Sequence, residues 1–204
     1  TRASLNATLE AFTSRGISLI PPKGVLASGV PACLDALFTM LERWGSLPLS
    51  EIMAPARDLA AKGFPVHDGL ANMPIYGIAV NADSFRDNWP GSTSVYFDEN
   101  GVPKKAGDLV VNTAMADLLD ILANEGTGRD RVSGIHAARR LFYEGEPAGI
   151  MARHVQERDG LLDRNDFSAF FTQVEEPLSV DAFGATVFKC GPWCQGPVHL
   201  QLLR

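Results

Sequence analysis

Residues 31–45 read Pro31-Ala32-Cys33-Leu34-Asp35-Ala36-Leu37-Phe38-Thr39-Met40-Leu41-Glu42-Arg43-Trp44-Gly45. Leu34, Leu37, Phe38, Leu41 and Trp44 recur at the three-and-four spacing of a helix with one apolar face. Pro31 stands near the first turn, where its missing N–H costs nothing, and Gly45 lies just past the last. Such a helix has to bury its stripe against another layer, so the segment predicts a packed, helix-rich fold.

Working outward, the same patterning predicts a helix over residues 5–12 that ends near Gly16, before the breaker Pro21-Pro22-Lys23-Gly24. Downstream a second helix is expected over residues 50–62, kinked or restarted at Pro55 and closed by Gly63. Residues 68–79 read as partly helical, and residues 81–88 as a short helix followed by a loop at Trp89-Pro90-Gly91. Val95-Tyr96-Phe97 and Leu109-Val110-Val111 flank the turn Asp98-Glu99-Asn100-Gly101, with strands that are short or absent. Asn112 or Thr113 caps a helix to about Ala123, with Met115, Leu118, Leu119 and Leu122 on one side. Helices over residues 133–143 and 147–158 follow, the second ended by Gly160, and Asp163 caps a brief one through Phe167. Residues 171–175 and 185–188 read as strands. Residues 196–204 read as the first turns of a helix without a C-cap, which suggests truncation or proteolysis.

The fold class expected is therefore α+β and predominantly helical, with a few short strands near the C-terminus. Residues 1–204 read as a single partial domain with a sub-boundary near residues 92–112. At 204 residues the chain is long enough to bury a core, and its 46% hydrophobic content is that of an ordinary globular protein. No window approaches the roughly 18 consecutive apolar residues of a membrane span, and no signal-peptide pattern opens the chain. The net charge of −6 argues against a nucleic-acid partner. Arg129, Arg131, Arg139 and Arg140 cluster, and a solvated helix face accounts for them.

The residues that carry chemistry are scattered. Cys33, Cys190 and Cys194 are too few for a disulfide framework, and no His pair joins them at zinc-ligand spacing. His67, His136, His154 and His199 sit in no HExxH, GxSxG or triad context. There is no Walker loop and no GxGxxG, so no cofactor is expected. Glu175 and Glu176 before Pro177 read as a solvated strand end, and Asp117 and Asp120 as a wet helix face. Thr1 could in principle serve as an N-terminal nucleophile, but such a threonine opens a buried strand, and here a polar stretch and a helix follow. No catalytic, cofactor-binding or metal residue is nominated.

The run Leu26-Ala27-Ser28-Gly29-Val30-Pro31, the helix after it and Trp44-Gly45-Ser46-Leu47-Pro48-Leu49 together resemble the γ-glutamyltranspeptidase family. So does the block Pro55-Ala56-Arg57-Asp58-Leu59-Ala60-Ala61-Lys62-Gly63-Phe64-Pro65-Val66. Gly101-Val102-Pro103 with Ala106-Gly107-Asp108-Leu109-Val110 is similar to the family's G-x-P-x-x-x-G-x-x segment. Phe142-Tyr143-Glu144-Gly145 resembles its FY-x-G-x-(I/L)-A junction, with Pro147 in the aliphatic place. Gly160 to Phe167 resembles GG-x-(I/L)-(T/S)-x-x-D-(L/F), with Asp159 for the first glycine and Asp163 for the hydroxyl residue. Cys190-Gly191-Pro192-Trp193-Cys194-Gln195-Gly196 stands where most members carry a Pro-Pro-Ser-Ser-Gly-Gly turn, a departure that suggests a divergent branch.

The resemblance implies the helical lobe of an N-terminal-nucleophile hydrolase, an αββα sandwich. One precursor cuts itself in two, and the new threonine of the small subunit attacks a γ-glutamyl amide. The acyl group then passes to water or an amino acid. That threonine belongs to a Thr-Thr-His type motif downstream of Arg204, and the arginine for the substrate carboxylate to an Arg-Glu-x-x-Pro type motif upstream of Thr1. The partners implied are the remainder of the precursor and a γ-glutamyl or other amide, with self-association expected of the piece in isolation. The family implies a periplasmic or extracellular location, and a divergent branch a cytoplasmic one. Two other readings stand beside it: an acylase on the same scaffold, and a helical interaction module without catalysis.

Overall fold

The computed structural model describes residues 2–204, and the chain forms two compact units, Thr1–Phe170 and Phe171–Arg204. The first contains α1 (Leu9–Thr13), a 3-10 turn (Val25–Ala27), α2 (Cys33–Trp44), α3 (Leu49–Lys62), β1 (Phe64–Pro65) and α4 (Asp68–Asn72). It continues through α5 (Ala82–Asn88), α6 (Pro90–Tyr96), β2 (Leu109–Val110), α7 (Thr113–Asn124), α8 (Arg131–Glu144), α9 (Glu146–Gln156) and α10 (Arg164–Ser168). The second holds the antiparallel hairpin β3 (Leu178–Ala182) and β4 (Ala185–Lys189), followed by α11 (Gly196–Leu202), which packs on both strands. The helix-rich α+β class is thus observed.

The first unit has two apolar cores. In the larger, α3 lies along α7, while α2, α3, α7, α9 and α10 all meet α8. Its centre is Val30, Phe38, Leu122, Ile135 and Phe167, each with at most 2% of its surface exposed. Helix α8 approaches the turn after α7 so closely that a Cβ on Gly134 would stand 2.8 Å from the Gly126 Cα. The smaller core spans residues 64–110, where β1 pairs antiparallel with β2 and Val66, Ala71, Ile78, Phe97 and Val110 are buried. The Phe85 ring anchors it, packing against Trp89, Tyr96 and Phe97.

Several sequence expectations are corrected. Helix α1 begins at Leu9, because the Thr8 hydroxyl caps it and residues 2–6 make long-range hydrogen bonds instead. The apolar stripe of α2 is split: Phe38 is buried and Leu34 and Leu41 partly so, whereas Leu37 and Trp44 face outward and Asp35 takes a buried place. Helix α3 runs on through Pro55 to Gly63, whose φ of 91° closes it as expected. Most of the expected loop at Trp89-Pro90-Gly91 and of the short strand at residues 95–97 belongs to one helix, α6, flanked by Trp89 and by Phe97, which keeps an antiparallel bridge to Pro103. Pro90 fits its first turn, and the Thr93 hydroxyl donates back to Phe85 O at 2.7 Å. Residues 171–175 are not a strand; β4 pairs instead with β3 across the two-residue turn Phe183-Gly184, φ 52° and 77°.

Candidate functional site

Ionisable groups concentrate where α2 meets α8. Arg139 on α8 directs its guanidinium as a fork. Nε donates to Asp35 Oδ1 at 2.5 Å, Nη1 to Glu42 Oε2 at 3.2 Å and Nη2 to the Thr39 hydroxyl at 3.2 Å. His136, one turn earlier on α8, places Nε2 2.9 Å from the other Glu42 oxygen. That hydrogen bond, helped by Arg139 and opposed by partial burial, holds the Glu42 carboxyl below its ordinary range. Arg131 donates to the carbonyls of Leu41 and Glu42 at the end of α2, where the helix dipole favours a cation. Tyr143 completes the cluster: its hydroxyl donates to Pro31 O at 2.6 Å and accepts the Asp35 N–H at 3.1 Å. Burial pushes this phenol up to about 12, against the opposing hydrogen bond from the Asp35 N–H.

A second anchor ties the start of the chain to α10. Asp163 and Asp166 form a capping box around α10, and Asp166 is fully buried. Asp166 Oδ1 also accepts the Leu5 N–H at 2.6 Å, while the Ser4 hydroxyl donates to Leu161 O at 2.7 Å and Arg2 to Asp166 O at 3.1 Å. Burial alone would raise the Asp166 carboxyl. The N–H groups of Leu5 and Asp163, the Ser4 hydroxyl and the Arg2 charge outweigh it and leave the pKa lowered.

In the second unit the segment 190–196 forms a closed turn: Cys194 N–H donates to Gly191 O at 3.2 Å, and Gly196 N–H reaches the Cys194 sulfur at 3.2 Å. Trp193 at its tip donates its indole N–H to Glu175 Oε2 at 2.7 Å.

The structure gives the singled-out residues mainly structural work. Thr1 lies outside the described residues. The arginine cluster is corrected in part: Arg139 and Arg131 bind α2 to α8, whereas Arg129 pairs with Glu125 on the surface. Asp120 is not simply a wet-face residue, since Arg57 of α3 stands 3.3 Å away. His67 caps α4 by accepting the Leu70 N–H. Asp35, which the sequence reading passed over, proves the most deeply buried acid of the α2–α8 cluster. Its one visible signal was a carboxylate inside the arc from Leu34 to Phe38.

Acyl transfer needs a nucleophile beside a base, with oxyanion donors in place. The hydroxyls of Ser4, Thr39 and Thr93 are donated to backbone carbonyls, and that of Thr186 to the exposed Asp181. His136 is turned to Glu42. Among the described residues no group of three His, Cys, Asp or Glu is placed to hold a metal ion. What this arrangement can do is brace helices.

Comparison with known proteins supplies the context. Residues 1–204 match the family described as Gamma-glutamyltranspeptidase. The chain is 30% identical, over 86% of its length, to the Glutathione hydrolase proenzyme of Escherichia coli (strain K12), and spans 27% of that relative. The cephalosporin acylase of Bacillus halodurans superposes with a TM-score of 0.77 at 26% identity, over 94% of this chain and 34% of that one. The Helicobacter pylori gamma-glutamyltranspeptidase, at 22% identity, shares the fold with a TM-score of 0.81 over 98% of this chain and 53% of its own.

Proposed function

Because this chain belongs to the gamma-glutamyltranspeptidase family, we propose that it is the helical portion of the large subunit of a self-processing amidohydrolase. The parent protein cleaves γ-glutamyl amides and passes the acyl group to water or an amino acid. The reading rests on the family match across residues 1–204. The nucleophilic threonine is assigned to the rest of the precursor, in line with the "proenzyme" in the name of the Escherichia coli relative.

The test is to express the full-length protein, determine the masses and N-termini of its products, and assay a chromogenic γ-glutamyl anilide. Two polypeptides are expected, the smaller opening with threonine, together with release of the anilide. A single uncut and inactive polypeptide refutes the reading.

A second reading, an acylase on the same scaffold, is favoured by the Cys190–Gly196 departure and by the 26% identity to a cephalosporin acylase. Faster turnover of other N-acyl amides than of γ-glutamyl amides selects it. The isolated 204-residue piece is proposed to self-associate through outward apolar side chains such as Leu37, Trp44 and Leu59. Light scattering that reports a monodisperse monomer removes that part.

A further inference from the structure

We propose that Trp193 and Glu175 form a recognition point for the ammonium group of a small-molecule ligand, a role independent of where the amide is cut. Within these 204 residues Trp193 exposes 70% of its surface, and the edge of its ring is hydrogen-bonded. The indole N–H is fixed by Glu175 Oε2 at 2.7 Å. The turn beneath it is locked by the Cys194 N–H to Gly191 O bond and by the Gly196 N–H to Cys194 sulfur bond. A Cβ on Gly191 would meet Trp193 Cδ1 and Nε1 at 3.5 Å, so the pyrrole edge of the ring lies along the turn.

Glu175 is exposed, and among the described residues no ion pair joins its carboxylate to a Lys, Arg or His nitrogen. It accepts a neutral N–H, which leaves its negative charge uncompensated beside an exposed π-face, and Glu176 adds a second charge next to it. An aromatic face attracts a cation through its quadrupole, and a neighbouring carboxylate supplies the counter-charge. The same carboxylate repels anions and gives a neutral apolar ligand no advantage. A pre-positioned ring and acid also spare the ligand the cost of ordering them. Each attraction is weak at an exposed position, so the pair discriminates an ammonium from a neutral counterpart by about tenfold. It grips one end of a ligand and does not hold a whole one.

The experiment uses the full-length protein with its tryptophan side chains labelled for NMR, the Trp193 indole resonance being assigned by its loss in W193F. The probes are n-butylammonium and tetramethylammonium chlorides, with n-pentanol as the neutral counterpart and sodium chloride as the salt control. A saturable shift of the Trp193 resonance is expected with both ammonium ions and not with the controls. E175Q should weaken that binding about fivefold or more while leaving the other tryptophan resonances in place. No shift, an equal shift with n-pentanol, or unchanged affinity in E175Q overturns the proposal. Because the readout is binding, a parent without amidase activity leaves this test standing, and a failed titration leaves the amidase reading standing.

Discussion

Asp35 shows how one residue fixes two helices. Its side chain is buried, so its charge has to be answered inside the protein, and Arg139 answers it at 2.5 Å. Arg139→Met removes the answer and leaves the charge in place, so a loss of about 3–5 kcal/mol in urea unfolding is expected. The double variant Asp35→Leu with Arg139→Met should recover most of that loss, because a well-packed apolar pair replaces the ion pair. Tyr143→Phe strips the Asp35 N–H of its acceptor and should cost about 1–3 kcal/mol. Its pH dependence has a definite sign. A phenol raised from 10.0 to about 12 is kept neutral by the fold. Its stabilisation is therefore complete below pH 10 and fades as pH rises through about 12. The gap between wild type and Tyr143→Phe should narrow over that window, as read by unfolding at each pH. Phe183 offers the opposite case: with φ 52° and 92% of its surface exposed, it occupies a left-handed turn position without packing in return. Phe183→Asn should stabilise the hairpin by about 1 kcal/mol, read as a rise in the melting of its strand signals.

At the level of elements, legibility followed local physics. Caps and terminators were readable wherever the signal lies within a few residues: Asn112 caps α7, Asp163 caps α10, and Gly63 ends α3. The failures came from partners far along the chain. Residues 5–8 have helical patterning, but the Leu5 N–H is committed to Asp166 across 161 positions. The outward Leu37 and the inward Asp35 reverse the simple stripe, because α8 brings a cation to α2 and its sequence does not announce the pairing. Around residues 89–97 the aromatic cluster on Phe85 overrode the loop signal of Trp-Pro-Gly. As for a site, the sequence offered little local chemistry to nominate, and the turn at Trp193 stood out only as a departure from a family pattern. Asp166→Asn tests the long-range element: it weakens the strap and should speed amide exchange at Leu5 and Asp163. The wild type should reproduce that release in acid. The Asp166 pKa is lowered below its ordinary 3.8, so its contribution is present above that pH and is lost as pH falls through the depressed value.

For the molecule as a whole, stability is distributed unevenly. The larger core gathers six helices around Leu122 and Ile135, and truncating either to Ala should cost about 2–5 kcal/mol. In residues 171–204 only Gly191, Gly196 and Leu200 are buried. A two-stranded hairpin with one helix is marginal by itself, so its amides should exchange faster than those of α8. The strap carries a further consequence, one of timing. Residues 2–6 leave the ribosome well before residues 161–169, the groups they bind. At bacterial-to-eukaryotic synthesis rates of about 5–20 residues per second, the wait is roughly ten to thirty seconds. Throughout that interval Leu5 and its neighbours have no native partner, while α2 and α3 can already pair locally. A stretch made long before its partners is thus among the last to dock, and a nascent chain paused before Asp166 would present it to chaperones and proteases.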